Sequence, residues 1–214
     1  MPVEMKKDGH LAIITLNRPE ARNAINSEMA QTMEACLDDY ENDPDLWCAI
    51  LAAEGTVFCA GADLKEISAG NGASLSTKKG GFGGITRRER TKPLIAAIKG
   101  TAVAGGCEIS LACDLIIAST ETVFGLAEVK RSLAAGAGGL FRLPRAIGKS
   151  TAMEVIMTGE PIPAQRAYEL GMVNKVVEPD SVMEEARALA DRILVNAPLA
   201  VQASRKVAAR AMMD

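Results

Sequence analysis

Strand-length apolar runs alternate with segments of helical periodicity along this chain, and that alternation predicts an α/β fold. Asp8-Gly9 is a hairpin turn signal between two strand-like segments. Residues 47–53, 94–98 and 115–118 are apolar runs of the kind that sheets bury on both faces. From residue 149 onward helical spacing dominates, so the C-terminal third is expected to be mainly helical.

The elements follow in order. Residues 3–6 and 10–16 flank Lys7-Asp8-Gly9 and predict an opening antiparallel hairpin. Asn26 and Ser27 are candidate caps for a helix whose Met29, Met33, Cys36, Leu37 and Tyr40 recur at helical spacing up to the Asp43-Pro44 break. The three apolar runs then supply buried strands, with helices between them. Residues 149–157, 164–170, 181–194 and 198–213 carry helical periodicity, with Gly159 and Gly171 as stop signals and Pro198 suited to a first turn; residues 172–177 read as a strand. Residues 69–84 are glycine-rich with almost no apolar content, which predicts a mobile loop. No fixed period repeats along the chain, which gives no support to a solenoid with a sequence-detectable repeat.

With 214 residues, 48% hydrophobic and 24% charged, the chain can bury a substantial core in one generous domain or two small ones. Its 24 Lys and Arg against 27 Asp and Glu leave a net charge of -3, which offers no bulk attraction to nucleic acid or an anionic membrane. Any anionic ligand must therefore be met by local positive groups. The basic groups Lys78-Lys79, Arg87-Arg88 with Arg90, and Arg205-Lys206 are short and scattered, unlike an RNA-binding stripe. Five cysteines, an odd number without a CxxC pair, sit mostly in apolar surroundings, and neither a signal-length apolar start nor a membrane-length run occurs. A reducing, cytoplasmic location is the expectation.

One histidine, His10, in the opening hairpin leaves little scope for a His/Cys metal site or a triad hydrolase and reads as a plain strand residue. Carboxylates and backbone must then carry any chemistry. Two small-residue turns stand where short strands would end: residues 59–65, containing Gly61-Ala62-Asp63, and residues 102–108, containing Gly105-Gly106-Cys107-Glu108. Where such a turn opens a helix, its first amides lack internal partners and point outward at the positive end of the helix dipole, suited to a developing oxyanion. Each turn taken alone reads first as a tight strand-to-helix connection, and only the pair points to an oxyanion hole; neither has the spacing of a phosphate loop or a dinucleotide fold. Gly136-Ala137-Gly138-Gly139 is a third such turn, without a convincing strand before it. Glu108 and Glu128 stand in apolar contexts where burial would raise a carboxyl toward neutrality, although each alone also reads as a solvated helix-end residue.

Together these motifs resemble the enoyl-CoA hydratase/isomerase, or crotonase, superfamily over essentially the whole chain. The resemblance rests on Asn17-Arg18-Pro19-Glu20-Ala21-Arg22-Asn23-Ala24, on Phe58-Cys59-Ala60-Gly61-Ala62-Asp63-Leu64, on residues 97–115 and on residues 124–142. It implies a crotonase-like spiral of ββα units over residues 1–195. Residues 196–214 would begin a C-terminal helical region whose remaining helices are absent from a sequence ending at Asp214. It implies a homotrimer, or a hexamer built as a dimer of trimers, acting on an acyl-CoA thioester without metal or separate cofactor, since coenzyme A is part of the substrate.

The same resemblance makes Ala62 and Gly105 the backbone donors to the thioester oxygen, Glu108 and Glu128 the acid/base pair, and Gly136 a neighbour of the catalytic water. Arg22, Ala24, Ala62, Asp63, Leu64 and Lys65 become candidates for holding the CoA portion. Two glutamates imply an enoyl-CoA hydratase in fatty-acid or related acyl-CoA catabolism. The alternatives are an isomerase or carnitinyl-CoA-type dehydratase of the same fold or, from other classes, an RNA-binding or non-catalytic acyl-CoA-binding relative. Ala127, where many members carry proline, and Leu133-Ala134-Ala135 imply an altered pocket floor.

Overall fold

The computed structural model describes residues 1–211. Its opening hairpin pairs β1 (Val3–Asp8) with β2 (Leu11–Leu16) around Gly9 at φ +57°. His10 lies in this turn, not in a strand: its ring stacks on Trp47 at 3.6 Å and Nδ1 lies 2.6 Å from the Asp45 carbonyl. The predicted cap is present on α1 (Ser27–Asn42), where the Asn26 side chain accepts from the Met29 amide. Met29, Met33, Leu37 and Tyr40 then face the core.

Three ββα passages follow. The first comprises β3 (Cys48–Ala53), β4 (Val57–Cys59) and the short α2 (Leu64–Ser68). After an excursion carrying the two-stranded hairpin of β5 (Ser76–Thr77) and β6 (Gly81–Phe82), the second comprises β7 (Leu94–Ile98), β8 (Thr101–Val103) and α3 (Gly105–Ala112). The third runs through β9 (Leu115–Ser119) and β10 (Val123–Gly125) to α4 (Gly139–Ile147).

The first strands of the passages enter a six-stranded sheet and the second strands a four-stranded one, paired in parallel from passage to passage with one register shift between β4 and β8, so the chain coils with each passage stacked on the last. The repeat is invisible in sequence because the excursion makes the first interval much longer than the second.

The remainder is α5 (Lys149–Thr158), β11 (Ile162–Pro163), α6 (Ala164–Glu169), β12 (Lys175–Val177), α7 (Val182–Leu194) and α8 (Pro198–Ala211). The six-stranded sheet runs β1-β2-β3-β7-β9-β12. Its alternate residues explain the continuous apolar runs. Ala49, Leu51, Leu94, Ala96 and Ile116 enter the main core, while Cys48, Ile50, Ile95, Ala97 and Ile117 meet Val182, Ala186 and Ala190 of α7. Helix α8 buries no residue and is tied to the body by Arg205, whose Nη2 lies 2.8 Å from an Asp114 oxygen. The sequence extends this helix to Met213; Met212 and Met213 lie outside the described residues.

Residues 69–84 depart from the expected loop. Leu75 is buried and Phe82 packs against the core. The Thr77 hydroxyl and the Gly80 amide both donate to the Glu34 carboxylate on α1, the latter at 2.7 Å. Two large apolar side chains and one acceptor suffice to anchor the segment as a hairpin. Helix α4 was not predicted, since the preceding Ala-Gly run masks its start.

Asn23 fixes the segment that borders the site. Fully buried at φ +52°, it accepts from the Arg18 amide at 2.8 Å and donates to the Glu54 and Val57 carbonyls at 2.9 and 2.8 Å. Asparagine tolerates this left-handed conformation better than most residues. Asn23→Ala strands three backbone groups and is expected to cost on the order of 3 kcal/mol in urea unfolding; a loss below about 1 kcal/mol would show that water replaces these bonds.

Candidate active site

The two small-residue turns meet. A Cβ built on Gly61 would lie 2.9 Å from the Ala104 Cβ and 3.1 Å from the Gly105 nitrogen, and one on Gly106 would lie 2.0 Å from the Cys59 carbonyl oxygen. Only glycine permits this approach of the β4 turn to the start of α3. Ala62 makes an isolated parallel bridge with Ile25 through the Gly61 carbonyl and the Asp63 amide, so its own N–H is left out of the pairing. Gly105 is the first residue of α3, where a helix has no internal acceptor for the amide. Ala104 before it adopts φ +51°, ψ −127°, a strained conformation for a non-glycine residue.

Glu108 sits one turn into α3 and is 3% exposed. Its Oε1 accepts two amides, from Ala137 and Gly139, each at 2.8 Å. Both bonds fall on one oxygen, so the other is not spent on this backbone. A Cβ on Gly139 would lie 3.0 Å from the Glu108 Cγ and 2.8 Å from Leu126, which explains a glycine there. Burial pushes the Glu108 carboxyl up to about 7; the charge of Glu128 adds to the rise, while the two amides and Arg142 oppose it. Glu128 begins a short 3-10 turn after β10, and burial raises its carboxyl as well. Its Oε2 is buried without a hydrogen-bond partner among the described residues. Paired carboxylates shifted toward neutrality are what acid/base chemistry near pH 7 requires.

A cavity of about 1070 Å³ joins these groups, and each residue to which the family resemblance gave a site role lines it: Ala62, Gly105, Glu108, Glu128 and Gly136, with Arg22, Ala24, Asp63, Leu64 and Lys65. A Cβ on Gly136 would meet nothing closer than the Ala134 carbonyl at 3.9 Å, so a side chain there would fill cavity space. Asp63 contributes differently from its neighbours: its carboxylate pairs with Arg18 at 2.8 Å and caps the Lys65 amide at 3.0 Å, which leaves its backbone as the part available to a ligand.

Sequence reasoning missed several lining residues, among them Arg18, Phe82, Thr86 and the cations Lys130 and Arg131. Arg18 stood within a motif already recognised, and its partner Asp63 in another; only the fold brings the two together. The short basic groups are not a stripe. Arg88 pairs with Asp38, and Arg90 and Arg205 both pair with Asp114.

A family model described as enoyl-CoA hydratase/isomerase matches residues 6–214. The chain is similar to the (E)-benzylidenesuccinyl-CoA hydratase of Thauera aromatica, 42% identical over 97% of this chain and 82% of that protein. It is similar to the short-chain-enoyl-CoA hydratase of Clostridium acetobutylicum, 40% identical over 98% of this chain and 82% of that one. Among solved structures, an enoyl-CoA hydratase from Mycobacterium tuberculosis superposes with a TM-score of 0.93 at 44% identity, covering 97% of this chain and 81% of that chain. A carnitinyl-CoA hydratase from Mycobacterium avium superposes with a TM-score of 0.91 at 43% identity, covering 97% and 80%.

The raised Glu108 carboxyl has a consequence for stability. The folded chain holds this proton at about 7 against an ordinary 4.5, so ionising it opposes folding. The penalty is absent below the unfolded value and complete above the folded one, on the order of 3 kcal/mol. Glu108→Gln, which keeps an oxygen for the two amides, should be more stable than wild type at pH 8.5 by about that amount, with the gap closing as pH falls toward 4.5. Denaturant unfolding at several pH values checks this; a gap independent of pH would sink it.

Proposed function

The chain belongs to the enoyl-CoA hydratase/isomerase family, and from that premise we propose a two-glutamate mechanism for adding water across the C2=C3 bond of a 2-enoyl-CoA thioester. The chain is an enoyl-CoA hydratase, as are relatives at about 40% identity. One observation carries the mechanism: the bridge residue Ala62, the helix-start residue Gly105 and two raised carboxylates, Glu108 buried and Glu128 half-buried, line a single cavity.

In this mechanism the Ala62 and Gly105 amides donate to the thioester oxygen and draw negative charge onto it, which makes C3 electrophilic and stabilises the enolate of the transition state. One such donor is typically worth about 3 kcal/mol of barrier. Glu108, half-ionised near neutral pH, takes a proton from the water that bonds to C3. Glu128, held toward its protonated form, gives a proton to C2 as the double bond is consumed. Gly136 leaves room for the water. The reverse reaction uses the same groups.

The CoA portion is assigned to the opening turns. The backbone of Ala24 and of residues 62–64 offers hydrogen-bonding groups, and Arg22 and Lys65 offer exposed cations. The Glu108 and Glu128 pair favours hydration over isomerisation, which a single glutamate serves. A trimer or dimer of trimers and a cytoplasmic location complete the reading. No helix among the described residues is long and apolar enough to cross a membrane.

The test is to follow loss of the conjugated thioester absorbance with crotonyl-CoA and longer 2-enoyl-CoAs. Wild type should hydrate, and Glu108→Ala and Glu128→Ala should each lose on the order of a hundredfold or more. A dispensable glutamate would move isomerisation to the front, and an inert wild type would leave binding without turnover.

A further inference from the structure

Arg142 does not line the cavity, yet it stands directly behind the peptide that holds Glu108. It lies in the first turn of α4, and its guanidinium reaches back over that turn. Nη1 donates to the Ala137 carbonyl at 3.2 Å and Nη2 to the Thr86 carbonyl at 2.6 Å. Ala137 is one of the two residues whose amides grip Glu108, so the two peptide units flanking its Cα are held in turn, the first through its N–H by the carboxylate and the second through its carbonyl by Arg142.

The packing leaves little freedom. A Cβ on Gly138, which sits at φ +107°, would fall 2.1 Å from the Arg142 Nη1, so the cation occupies the space a side chain would need. The Phe141 ring flanks it, with its centroid 4.9 Å from the guanidinium carbon.

We propose that Arg142 is a positioning residue for hydration: it bridges residues 86 and 137, fixes the amides that grip Glu108, and supplies a half-buried positive charge behind that carboxylate. This rests on the reading of Glu108 as the group that takes the proton from water. The charged groups facing Glu108 are Glu128, from the turn after β10, and Arg142, from α4. On its own helix, Cys107 is a neutral thiol, pushed well above its usual range by burial. Arg142 in turn faces Glu108, Arg90, Arg145 and Cys113; burial pulls its own value down, and Glu108 opposes that. An arginine holds its charge in such a place and bridges two carbonyls with a planar fork, which a lysine cannot reproduce.

Removing the cation lets the Glu108 carboxyl rise further. Because the base must be ionised, the acid limb of the pH–rate profile then moves to higher pH. The experiment compares wild type, Arg142→Met and Arg142→Lys with crotonyl-CoA across pH, alongside a 13C titration of the Glu108 carboxyl, identified by its loss in Glu108→Gln.

Arg142→Met should raise the Glu108 midpoint and the acid limb together by about one unit. It should lower kcat at pH 7 by roughly tenfold or more and leave KM within about twofold, since Arg142 does not line the cavity. Arg142→Lys, keeping charge without the fork, should restore most of the midpoint and only part of kcat. A folded Arg142→Met whose midpoint and limb stay in place overturns the proposal, whatever happens to kcat. If that variant does not fold, Arg142→Lys decides, and wild-type kcat in it is the overturning result. Should wild type hydrate no enoyl-CoA, the hydratase reading fails by itself, and the carboxyl titration still reports whether Arg142 acts on Glu108.

Discussion

The close stacking of one strand-to-helix turn on the next is the constraint on which the rest of this structure depends. Gly106 rests against the Cys59 carbonyl and Gly61 against Ala104 and Gly105, at separations that forbid a side chain on either glycine. This contact sets the distance between successive passages of the spiral. It also brings together two amides from turns about forty residues apart in sequence, one at a bridge and one at a helix start. The direction of α3 follows from the same contact. Glu108, one turn further along, is thereby aimed at the 137–139 peptide. A looser turn would lose the paired amides and the glutamate's placement at once.

The two carboxylates illustrate how environment divides labour between identical side chains. Glu108 is almost wholly buried but accepts two amides, and these bonds partly offset the cost of ionising it. Glu128 is less enclosed, yet one of its oxygens is buried without a partner among the described residues, which favours the protonated form. The charge of Glu128 adds to the rise at Glu108, which further disfavours ionising both. In the proposed mechanism these two settings suit Glu108 to take the proton of the water added at one carbon and Glu128 to give a proton to the next.

Much of this was legible in the sequence because several signals are local. Asn26 as a cap, the 94–98 strand, the Gly105-Gly106 turn and the helical spacing of α7 each depend on a few neighbouring residues, and the structure has them where periodicity and turn chemistry put them. The hairpin at residues 76–82 and helix α4 were not legible. The first is held by Glu34, far away on α1, and the second starts in an Ala-Gly run that has little helical signature of its own. The Arg18–Asp63 pair and the Arg142 bridge fall in the same class, since each joins segments distant in sequence. Local chemistry could nominate the reacting groups; the residues that orient them emerge only once the chain is folded.

Charge makes the same separation between composition and placement. A net charge of -3 argues against an anionic partner only if the charges are spread evenly, and they are not. Several cations elsewhere are consumed by internal carboxylates: Arg88 and Lys79 by Asp38, Arg90 and Arg205 by Asp114. Around the cavity the balance reverses, with Arg22, Lys65, Arg87 and Arg131 exposed on its lining. These exposed cations give the phosphates of the proposed thioester substrate local positive groups to meet at the cavity. The same net charge that excludes nonspecific attraction to polyanions thus coexists with a local field suited to one small anionic ligand.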